Sequence, residues 1–202
     1  MKLYTNPASP FARKVRIFLI ETGMADHVET IGVAGHPTDT GTMPLAVNPL
    51  GKLPAVERED GAALYDSRVI CRYLDETSGH GLYPLAPRLW ETLTLEATGD
   101  GIMDAAILMI YESRSRAQDK RDPAWVEAQW TKITRALDTI EARWMSHLAG
   151  PLDAGQISVG CALSYLDFRH GDRDWRTGRT SLANWHATFA ERPSMAATAP
   201  EG

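Results

Sequence analysis

The chain has 202 residues and a formal charge of −5, from 21 basic and 26 acidic side chains. A chain of this length forms one large domain or two small ones, with an apolar core that needs no metal or disulfide support. The acidic balance argues against nucleic acid as a partner, and no apolar run reaches membrane-spanning length. The chain opens on a strand-like segment without a basic-then-apolar leader, so we expect a cytoplasmic protein with no membrane partner.

The N-terminal part of the chain alternates strand and helix signals. The predicted elements are, in order, a strand at 2–5, a helix from residue 10 closed by Gly23, a strand at 28–31, one helical turn near 43–47, strands at 55–58 and 62–65, and a helix at 67–76. The last two strands flank Asp60-Gly61, which is a strong hairpin signal. The predicted order is therefore β-α-β-α-β-β-α, an α+β domain.

A linker rich in Gly and Pro follows at 78–88, and every later segment carries a helical pattern. We therefore predict a first domain at 1–77 and an all-helical second domain at 89–202. Asp153 and Gln156 form a predicted capping box. The helix that they start is apolar nearly all round, so we place it at the centre of the second domain.

Cys71 and Cys161 each lie inside an apolar helical pattern. Two buried free thiols in a reducing compartment are the favoured interpretation, and a disulfide or a catalytic thiol is the alternative. The chain has no Cys-x-x-Cys and no His/Cys cluster with metal-ligand spacing, so we expect no metal site.

Ser9 stands at the junction of the first strand and the first helix, with Pro10 as the first helical residue. Serine is a common N-cap and proline is tolerated at the first helical position, so a structural role alone accounts for both. However, open sheets bind ligands at the carboxyl ends of their strands. The free amides and the dipole of a helix start there favour an anion, such as a thiolate.

Two further segments have the composition of a binding site. Asn48 to Pro54 holds two prolines and a glycine where the chain enters a strand, and Leu53-Pro54 is a candidate cis peptide, although X-Pro bonds are ordinarily trans. Asp66 is the predicted N-cap of the next helix. With Ser67 and the free amides, it also suits an amino-acid-like group that carries both an ammonium and a carboxylate.

These segments resemble a known family. Ser9 to Arg16, Asn48 to Pro54 and Asp66-Ser67 fall in the order and spacing of the glutathione transferase N-terminal domain. The second half is similar to a bacterial subgroup of glutathione transferase-like proteins in three segments: Ala97 to Ala106, Gly160 to Arg169 and Arg192-Pro193-Ser194. The resemblance spans nearly the whole chain. It implies a thioredoxin-like domain followed by an all-α helical bundle, assembled as a homodimer.

The resemblance also implies a glutathione site. Ser9 is its catalytic residue and hydrogen-bonds the glutathione sulfur. The glutathione-binding residues that it implies are Ser9, Phe11, Lys52, Leu53, Pro54, Asp66 and Ser67. Leu53, before a cis Pro54, pairs its backbone with the cysteinyl residue. Asp66 and Ser67 hold the γ-glutamyl end, and Lys52 matches a position that contacts the glycyl end. His36 lies where some classes of the family place a basic ligand for the glycyl carboxylate.

The long helix from Leu89 completes the implied site. The second-substrate residues are Pro10, Met103, Ile107 and Tyr111, although a Met and aromatic stripe is more often packing than a pocket. In the implied homodimer, Asp100 or Asp104 approaches the γ-glutamyl ammonium of the partner's ligand. The pocket residues specify only that the second substrate is hydrophobic.

Two departures from the family pattern bear on function and folding. The activating residue is Ser9 and not a cysteine, which disfavours the thioltransferase and dehydroascorbate-reductase branches. The capping box of the central helix usually pairs Ser or Thr with Asp, whereas here it pairs Asp153 with Gln156. That pair keeps one acceptor and one group that reaches back, so we expect the fold to tolerate the exchange.

The predicted function is therefore a detoxification enzyme that conjugates the glutathione thiolate to a small hydrophobic electrophile, with glutathione as co-substrate and no metal. The first alternative is other glutathione-dependent chemistry on the same site, as in a peroxidase, lyase or isomerase. The second alternative is a non-catalytic binding or regulatory protein. A complete set of ligand residues disfavours that last alternative, since a scaffold need not keep one.

Overall fold

The computed structural model describes residues 1–201. The elements, in chain order, are β1 (Lys2–Thr5), α1 (Pro10–Glu21), β2 (Glu29–Gly32), β3 (Ala55–Glu57), α2 (Ser67–Ser78), α3 (Arg88–Ser115), α4 (Pro123–Arg143), α5 (Met145–Leu148), α6 (Ala154–Arg169), α7 (Thr180–Ala190) and α8 (Pro193–Ala196). Single 3-10 turns lie at Ala25–His27 and Gln118–Lys120. The predicted fold class, a small α+β domain followed by a helical domain, is confirmed.

The chain forms two compact units. One comprises Met1–Pro84 together with the residues from Pro193 onward, and the other comprises Leu85–Arg192. The sequence had assigned everything from residue 89 onward to the second domain. The last segment instead belongs to the first unit, because α8 packs on α1. Arg13 of α1 is buried, and its Nη2 donates to the carbonyl of Met195 at 3.0 Å.

The sheet of the first unit has the order β2-β1-β3, with β1 parallel to β2 and antiparallel to β3. Thr5 pairs with Gly32, and Tyr4 pairs with Ala55. The carboxyl ends of β1 and β2 and the beginning of β3 therefore lie at the same end of the sheet. We call this the Thr5 end.

One predicted strand of the first unit is reduced in the structure, whereas a predicted helical turn is present. The predicted strand at 62–65 contributes a single bridge between Val56 and Leu64. The Arg58 side chain donates to the carbonyl of Ala62 at 3.0 Å, so this carbonyl is not paired across a continued hairpin. The single helical turn predicted near 43–47 is present, since the amides of Val47 and Asn48 both donate to the Pro44 carbonyl.

The second unit is built around α6, as predicted from its apolar sequence. Every residue from Ala154 to Leu163 is buried. The most extensive helix packing in this unit is that of α3 against α6. Gly99 of α3 allows the close approach, because a Cβ at this position would lie 2.5 Å from Oγ of Ser158.

The predicted capping box at the start of α6 is confirmed. Asp153 Oδ1 accepts from the Gln156 amide at 3.1 Å, and Gln156 Oε1 accepts from the Asp153 amide at 3.3 Å. The second carboxylate oxygen of Asp153 accepts from Thr92 Oγ1 at 2.8 Å and lies 2.7 Å from His147 Nε2. The box is therefore also a point where α3 and the segment before α6 are joined.

Cys71 and Cys161 are both buried and neither forms a disulfide, as predicted. Within residues 1–201, no helix combines the length and the apolar character that a bilayer crossing requires.

Candidate functional site

The turn after β1 is fixed by Asn6. Its Nδ2 donates to the carbonyl of Val33 at 2.9 Å, and its Oδ1 accepts from the amide of Ala8 at 3.0 Å. Its own carbonyl accepts from the Ser9 amide at 3.0 Å. These three bonds tie the turn to the residue after β2, and so they fix the point at which α1 begins.

Ser9 is the N-cap of α1, as predicted. Its Oγ accepts from the Ala12 amide at 3.3 Å, and its carbonyl accepts from the Arg13 amide at 2.9 Å. Pro10 has no amide hydrogen, so the remaining donors here are the Phe11 amide and the Ser9 hydroxyl. Neither has an acceptor within residues 1–201. Two donors at a helix start are thus available to an anion.

The segment before β3 is organised by a second asparagine. Asn48 is buried, its Nδ2 donates to the Lys52 carbonyl at 2.8 Å, and its Oδ1 accepts from the Leu50 amide at 3.1 Å. The Leu53–Pro54 bond is cis, as the resemblance implied. In the part of the chain that the structure describes, neither backbone polar group of Leu53 has a hydrogen-bond partner. This backbone is free to pair with an extended peptide.

The start of α2 supplies further unpaired groups. Asp66 is the N-cap, with Oδ1 accepting from the Arg68 amide at 3.0 Å, and the Tyr65–Asp66 bond is cis. Its side chain is exposed, whereas Ser67 is buried. The described chain offers no acceptor to the amides of Ser67 and Val69. A carboxylate oxygen therefore lies beside two free amides, which suits a group that carries an ammonium and a carboxylate.

These three segments converge because of the sheet register. Ser9 follows β1 at the Thr5 end, and Leu53 lies two residues before Ala55, which pairs with Tyr4 at that end. The antiparallel bridge of Val56 with Leu64 directs the following residues, including Asp66, toward the same end. The predicted glutathione-binding residues of the first unit are thus gathered at the Thr5 end.

The two residues predicted to contact the glycyl end of glutathione both lie on the surface. The Lys52 side chain is exposed, and His36 is exposed in a turn that closes on itself through paired bonds with Asp39. The His36 Nδ1 lies 3.0 Å from Oγ1 of Thr38. His36 follows β2 and Lys52 precedes β3, and their roles stay predictions.

The other predicted site residues are on α3 of the second unit. Met103 is completely buried, whereas Ile107 and Tyr111 are partly exposed. Asp100 is also buried, and it accepts from Ser158 Oγ at 2.8 Å, while Asp104 is exposed. The prediction that Asp100 or Asp104 approaches a partner's ligand stays a prediction. Asp104 is the acidic residue of the pair that remains open to solvent.

Asn6 and Asn48 are the positioning residues that the sequence prediction did not assign to the site. Each is followed by a proline, and each accepts from the amide two residues further on. Asn-Pro is a turn signal, and an asparagine that bonds its own backbone mimics a turn. The repeated dipeptide was the available signal for both.

Comparison with known proteins agrees with this geometry. A family model described as "Glutathione S-transferase, N-terminal domain" matches residues 8–77, and one described as "Glutathione S-transferase, C-terminal domain" matches residues 123–188. The chain is 32% identical over 205 residues to the uncharacterized GST-like protein YibF of Escherichia coli (strain K12), over 99% of this chain and 98% of the relative.

Two solved structures of a glutathione transferase family member from Pseudomonas fluorescens Pf-5 are also similar. The structure with bound glutathione is 44% identical, with a TM-score of 0.96 over 100% of this chain and 99% of the other. The structure with bound S-(propanoic acid)-glutathione is 45% identical, with a TM-score of 0.92 over 100% of both chains.

Proposed function

Because the chain belongs to the glutathione S-transferase family, we propose that it binds glutathione at the Thr5 end and conjugates the glutathione thiolate to an electrophile. The observation that carries this proposal is the set of unpaired donors and acceptors around one end of the sheet. They are the Phe11 amide, the Ser9 hydroxyl, the Leu53 backbone and the amides at the start of α2. Backbone polar groups in proteins are nearly always hydrogen-bonded, so a group of unpaired ones indicates a site for an external partner.

The tripeptide fits these groups part by part. The γ-glutamyl carboxylate accepts from the Ser67 and Val69 amides, and its ammonium meets the carboxylate of Asp66. The cysteinyl residue pairs its backbone with that of Leu53. The Ser9 hydroxyl then donates a hydrogen bond to the cysteinyl sulfur, and the dipole of α1 stabilises negative charge on that sulfur. This assignment uses every one of the unpaired groups except the Phe11 amide.

Ser9 acts as a hydrogen-bond donor in this mechanism and not as a base. A free thiol has a pKa near 8.5 and is mostly protonated at pH 7, whereas the thiolate is the nucleophile. A hydroxyl and a helix N-terminus both stabilise the anion, and so they lower the pKa of the bound thiol toward neutrality. The thiolate then attacks an electrophilic carbon, and the leaving group departs with the electron pair of its bond.

Retention on immobilised glutathione, followed by turnover, tests the proposal. With 1-chloro-2,4-dinitrobenzene we expect a carbon–sulfur bond to form and chloride to leave, with the product followed by its absorbance. A cumene hydroperoxide assay with the same preparation detects the peroxidase alternative. A chain that is neither retained on glutathione nor active on either substrate would contradict the proposed function.

We also propose that the protein is a cytoplasmic homodimer that acts in detoxification. Two features support the dimer: an exposed groove on α2 and the exposed ring of Trp90 on α3. The groove is lined by Leu64, Val69 and Tyr73 together with the charged Arg68, Arg72 and Glu76. Val69 and Trp90 keep 46% and 65% of their side chains exposed, which is high for apolar residues of this size. Sedimentation that finds only monomer at micromolar concentration would overturn the dimer.

A further inference from the structure

The strand order fixes the order of the ligand-binding segments across the Thr5 end. The start of α2 lies beyond β3, because Val56 of β3 pairs with Leu3 of β1 and also bridges to Leu64, which leads into α2. Ser9 follows β1, the central strand, and Val33 follows β2 at the opposite edge. A tripeptide with its γ-glutamyl end at α2 and its sulfur at Ser9 therefore directs its glycyl end away from α2, toward the segment that follows β2.

The segment 33–52 is bonded largely to itself. The Thr42 amide donates to the Ala34 carbonyl at 2.9 Å, and the Ala34 amide donates to Thr42 Oγ1 at 2.9 Å. The Lys52 carbonyl accepts from Asn48 Nδ2 at 2.8 Å. These groups are satisfied within the segment, so they do not extend the row of open backbone groups that begins at the start of α2.

The two side chains predicted for the glycyl end are both exposed, and neither is held toward a ligand. The His36 ring keeps its Nδ1 3.0 Å from Oγ1 of Thr38, inside its own turn. In the described part of the chain, nothing fixes the Lys52 ammonium. An exposed pair of a lysine and a carboxylate strengthens binding by about fivefold at most, and salt screens it.

The γ-glutamyl end of the site is built from fixed groups instead. The Ser67 and Val69 amides belong to the first turn of α2, and the Ser67 side chain is buried. Donors that a helix already holds lose little freedom when they bind an anion. Two such bonds to a carboxylate together strengthen binding by about a hundredfold or more, because bonds to charged groups are the strong ones. The affinity of the site is therefore concentrated at this end.

We propose that the protein recognises the γ-glutamylcysteinyl part of its thiol co-substrate and does not discriminate at the third residue. The co-substrate class is then γ-glutamylcysteinyl thiols in general: the dipeptide itself, glutathione, and glutathione with an amide or a longer group on its glycyl carboxylate. The inference rests on the proposed function, since it names the thiols that this same site accepts. It assigns Lys52 and His36, which the resemblance placed at the glycyl end, only a small share of the affinity.

Two dipeptides, each lacking one end of glutathione, test this inference by calorimetry. γ-Glutamylcysteine lacks the glycyl residue, and cysteinylglycine lacks the γ-glutamyl residue. Glutathione amidated at its glycyl carboxylate keeps all three residues and loses only that charge. Lys52→Gln removes the cation predicted for the glycyl end. Lys2→Gln is its control, because Lys2 is an exposed lysine at the start of β1, away from the Thr5 end.

We expect γ-glutamylcysteine and the amide to bind within about fivefold of glutathione, and cysteinylglycine to bind about a hundredfold more weakly. Lys52→Gln should weaken glutathione binding by less than about fivefold, and Lys2→Gln should leave it unchanged. A larger loss with γ-glutamylcysteine, with the amide or in Lys52→Gln would show that the glycyl end is recognised and would overturn the inference. So would cysteinylglycine that binds no more weakly than γ-glutamylcysteine.

The two proposals fail in distinguishable ways. If glutathione binds and is conjugated but γ-glutamylcysteine does not bind, the transferase proposal stands and the inference fails. If glutathione, its amide and γ-glutamylcysteine bind alike but no electrophile is conjugated, the catalytic part of the proposed function fails and the inference stands. If glutathione itself does not bind, the proposed function fails and the inference falls with it.

Discussion

At the scale of single residues, Ser9 combines two roles that use different atoms of one hydroxyl. The oxygen accepts from the Ala12 amide at 3.3 Å and caps α1, while the hydrogen remains available to a bound sulfur. The two roles are compatible, because an acceptor bond does not occupy the hydrogen. They can be separated experimentally, since the first role affects stability and the second affects the thiol.

Replacing Ser9 with alanine should raise the pKa of bound glutathione and lower turnover by about tenfold to a hundredfold. Affinity for glutathione should stay nearly intact, because Leu53, Asp66 and Ser67 still hold the tripeptide. Ultraviolet titration of the thiolate measures the first effect. Ser9→Thr keeps the hydroxyl and the cap, and so is the control. If the alanine variant leaves titration and rate unchanged, the activating group lies elsewhere, with Thr5 and Asn6 next to examine.

Substitutions at Asp66 can separate the effect of its charge on binding from the effect of its helix cap on stability. Asparagine caps a helix about as well as aspartate, so Asp66→Asn should keep stability, while Asp66→Ala should lose about 1 kcal/mol. Both should weaken glutathione binding, through loss of the carboxylate that faces the ammonium. Because Asp66 is exposed, we expect at most about 1 kcal/mol of binding, roughly fivefold. Calorimetry that finds unchanged affinity in both variants would remove Asp66 from the site.

At the scale of elements, α6 depends on more than its capping box. The carboxylate of Asp153 is almost completely buried and meets donors from Thr92, His147 and Gln156. A serine at this position, as the family usually has, reproduces only the bond to the N3 amide. The aspartate therefore links three segments of the helical unit, and its loss leaves buried donors without acceptors.

We expect Asp153→Ala to destabilise the protein by about 3 kcal/mol, since unsatisfied buried donors add to the usual loss of a cap. Asp153→Ser should fall between this value and zero. Asp122→Ala is a matched control, because Asp122 is an exposed N-cap of α4 and should cost about 1 kcal/mol. Denaturant titration gives all three values. Equal losses for Asp153→Ala and Asp122→Ala would show that the additional bonds contribute nothing.

His170, the C-cap of α6, is expected to make the stability of the protein depend on pH. His170 Nε2 donates to the Ala106 carbonyl at 3.0 Å, and burial lowers the pKa of the imidazole. The bond to the Ala106 carbonyl and the charge of Asp172 oppose this shift, and the charges of Arg173 and Arg169 reinforce it. The unfolded chain therefore binds the proton more readily than the folded one, so stability falls as the pH drops below about 6.5.

We expect His170→Gln to reduce this loss of stability below about pH 6.5, and His27→Gln, at an exposed histidine, to leave it unchanged. Thermal unfolding across the acid range measures both. An identical pH dependence in the protein and in His170→Gln would assign the acid sensitivity to other groups.

Elements with local signals were predictable and those that depend on distant contacts were not. Ser9, Asp66 and Asp153 cap helices in the structure as their sequence contexts indicated, and the apolar circumference of α6 placed it at the centre of its unit. The hairpin after β3 was wrong in extent, because the Arg58 side chain takes a carbonyl that a ladder needs. No local pattern marks that competition.

At the scale of the whole molecule, the return of the chain to the first unit was missed for the same reason. The contact of Arg13 with Thr198 joins residues 185 positions apart, and a basic residue within a helix gives no sign that it is buried. The packing of α3 against α6 also joins two helices that are distant in sequence. Family resemblance predicted the domains and the site residues, and it carried no information on either arrangement.

Removal of residues 193–202 should therefore destabilise the first unit in preference to the second. Deletion removes two partners of the buried Arg13 side chain, namely the Met195 carbonyl and Thr198 Oγ1. Hydrogen exchange should become faster in α1 and stay slow in α6. Glutathione retention should also weaken, because α1 carries Ser9. Unchanged exchange in α1 would show that α8 adds nothing to it.

The same return of the chain has a consequence for biosynthesis. A ribosome makes the segment 1–84 before the helical unit, and it makes the residues from Pro193 onward after that unit. The N-terminal part of the thioredoxin-like unit therefore leaves the exit tunnel without α8. It lacks this helix throughout synthesis of the other unit. Domains commonly fold in order from the N-terminus, but here the N-terminal one is completed only after the helical unit has been made. A premature stop anywhere before Pro193 would leave this unit without α8, however much of the chain had been made.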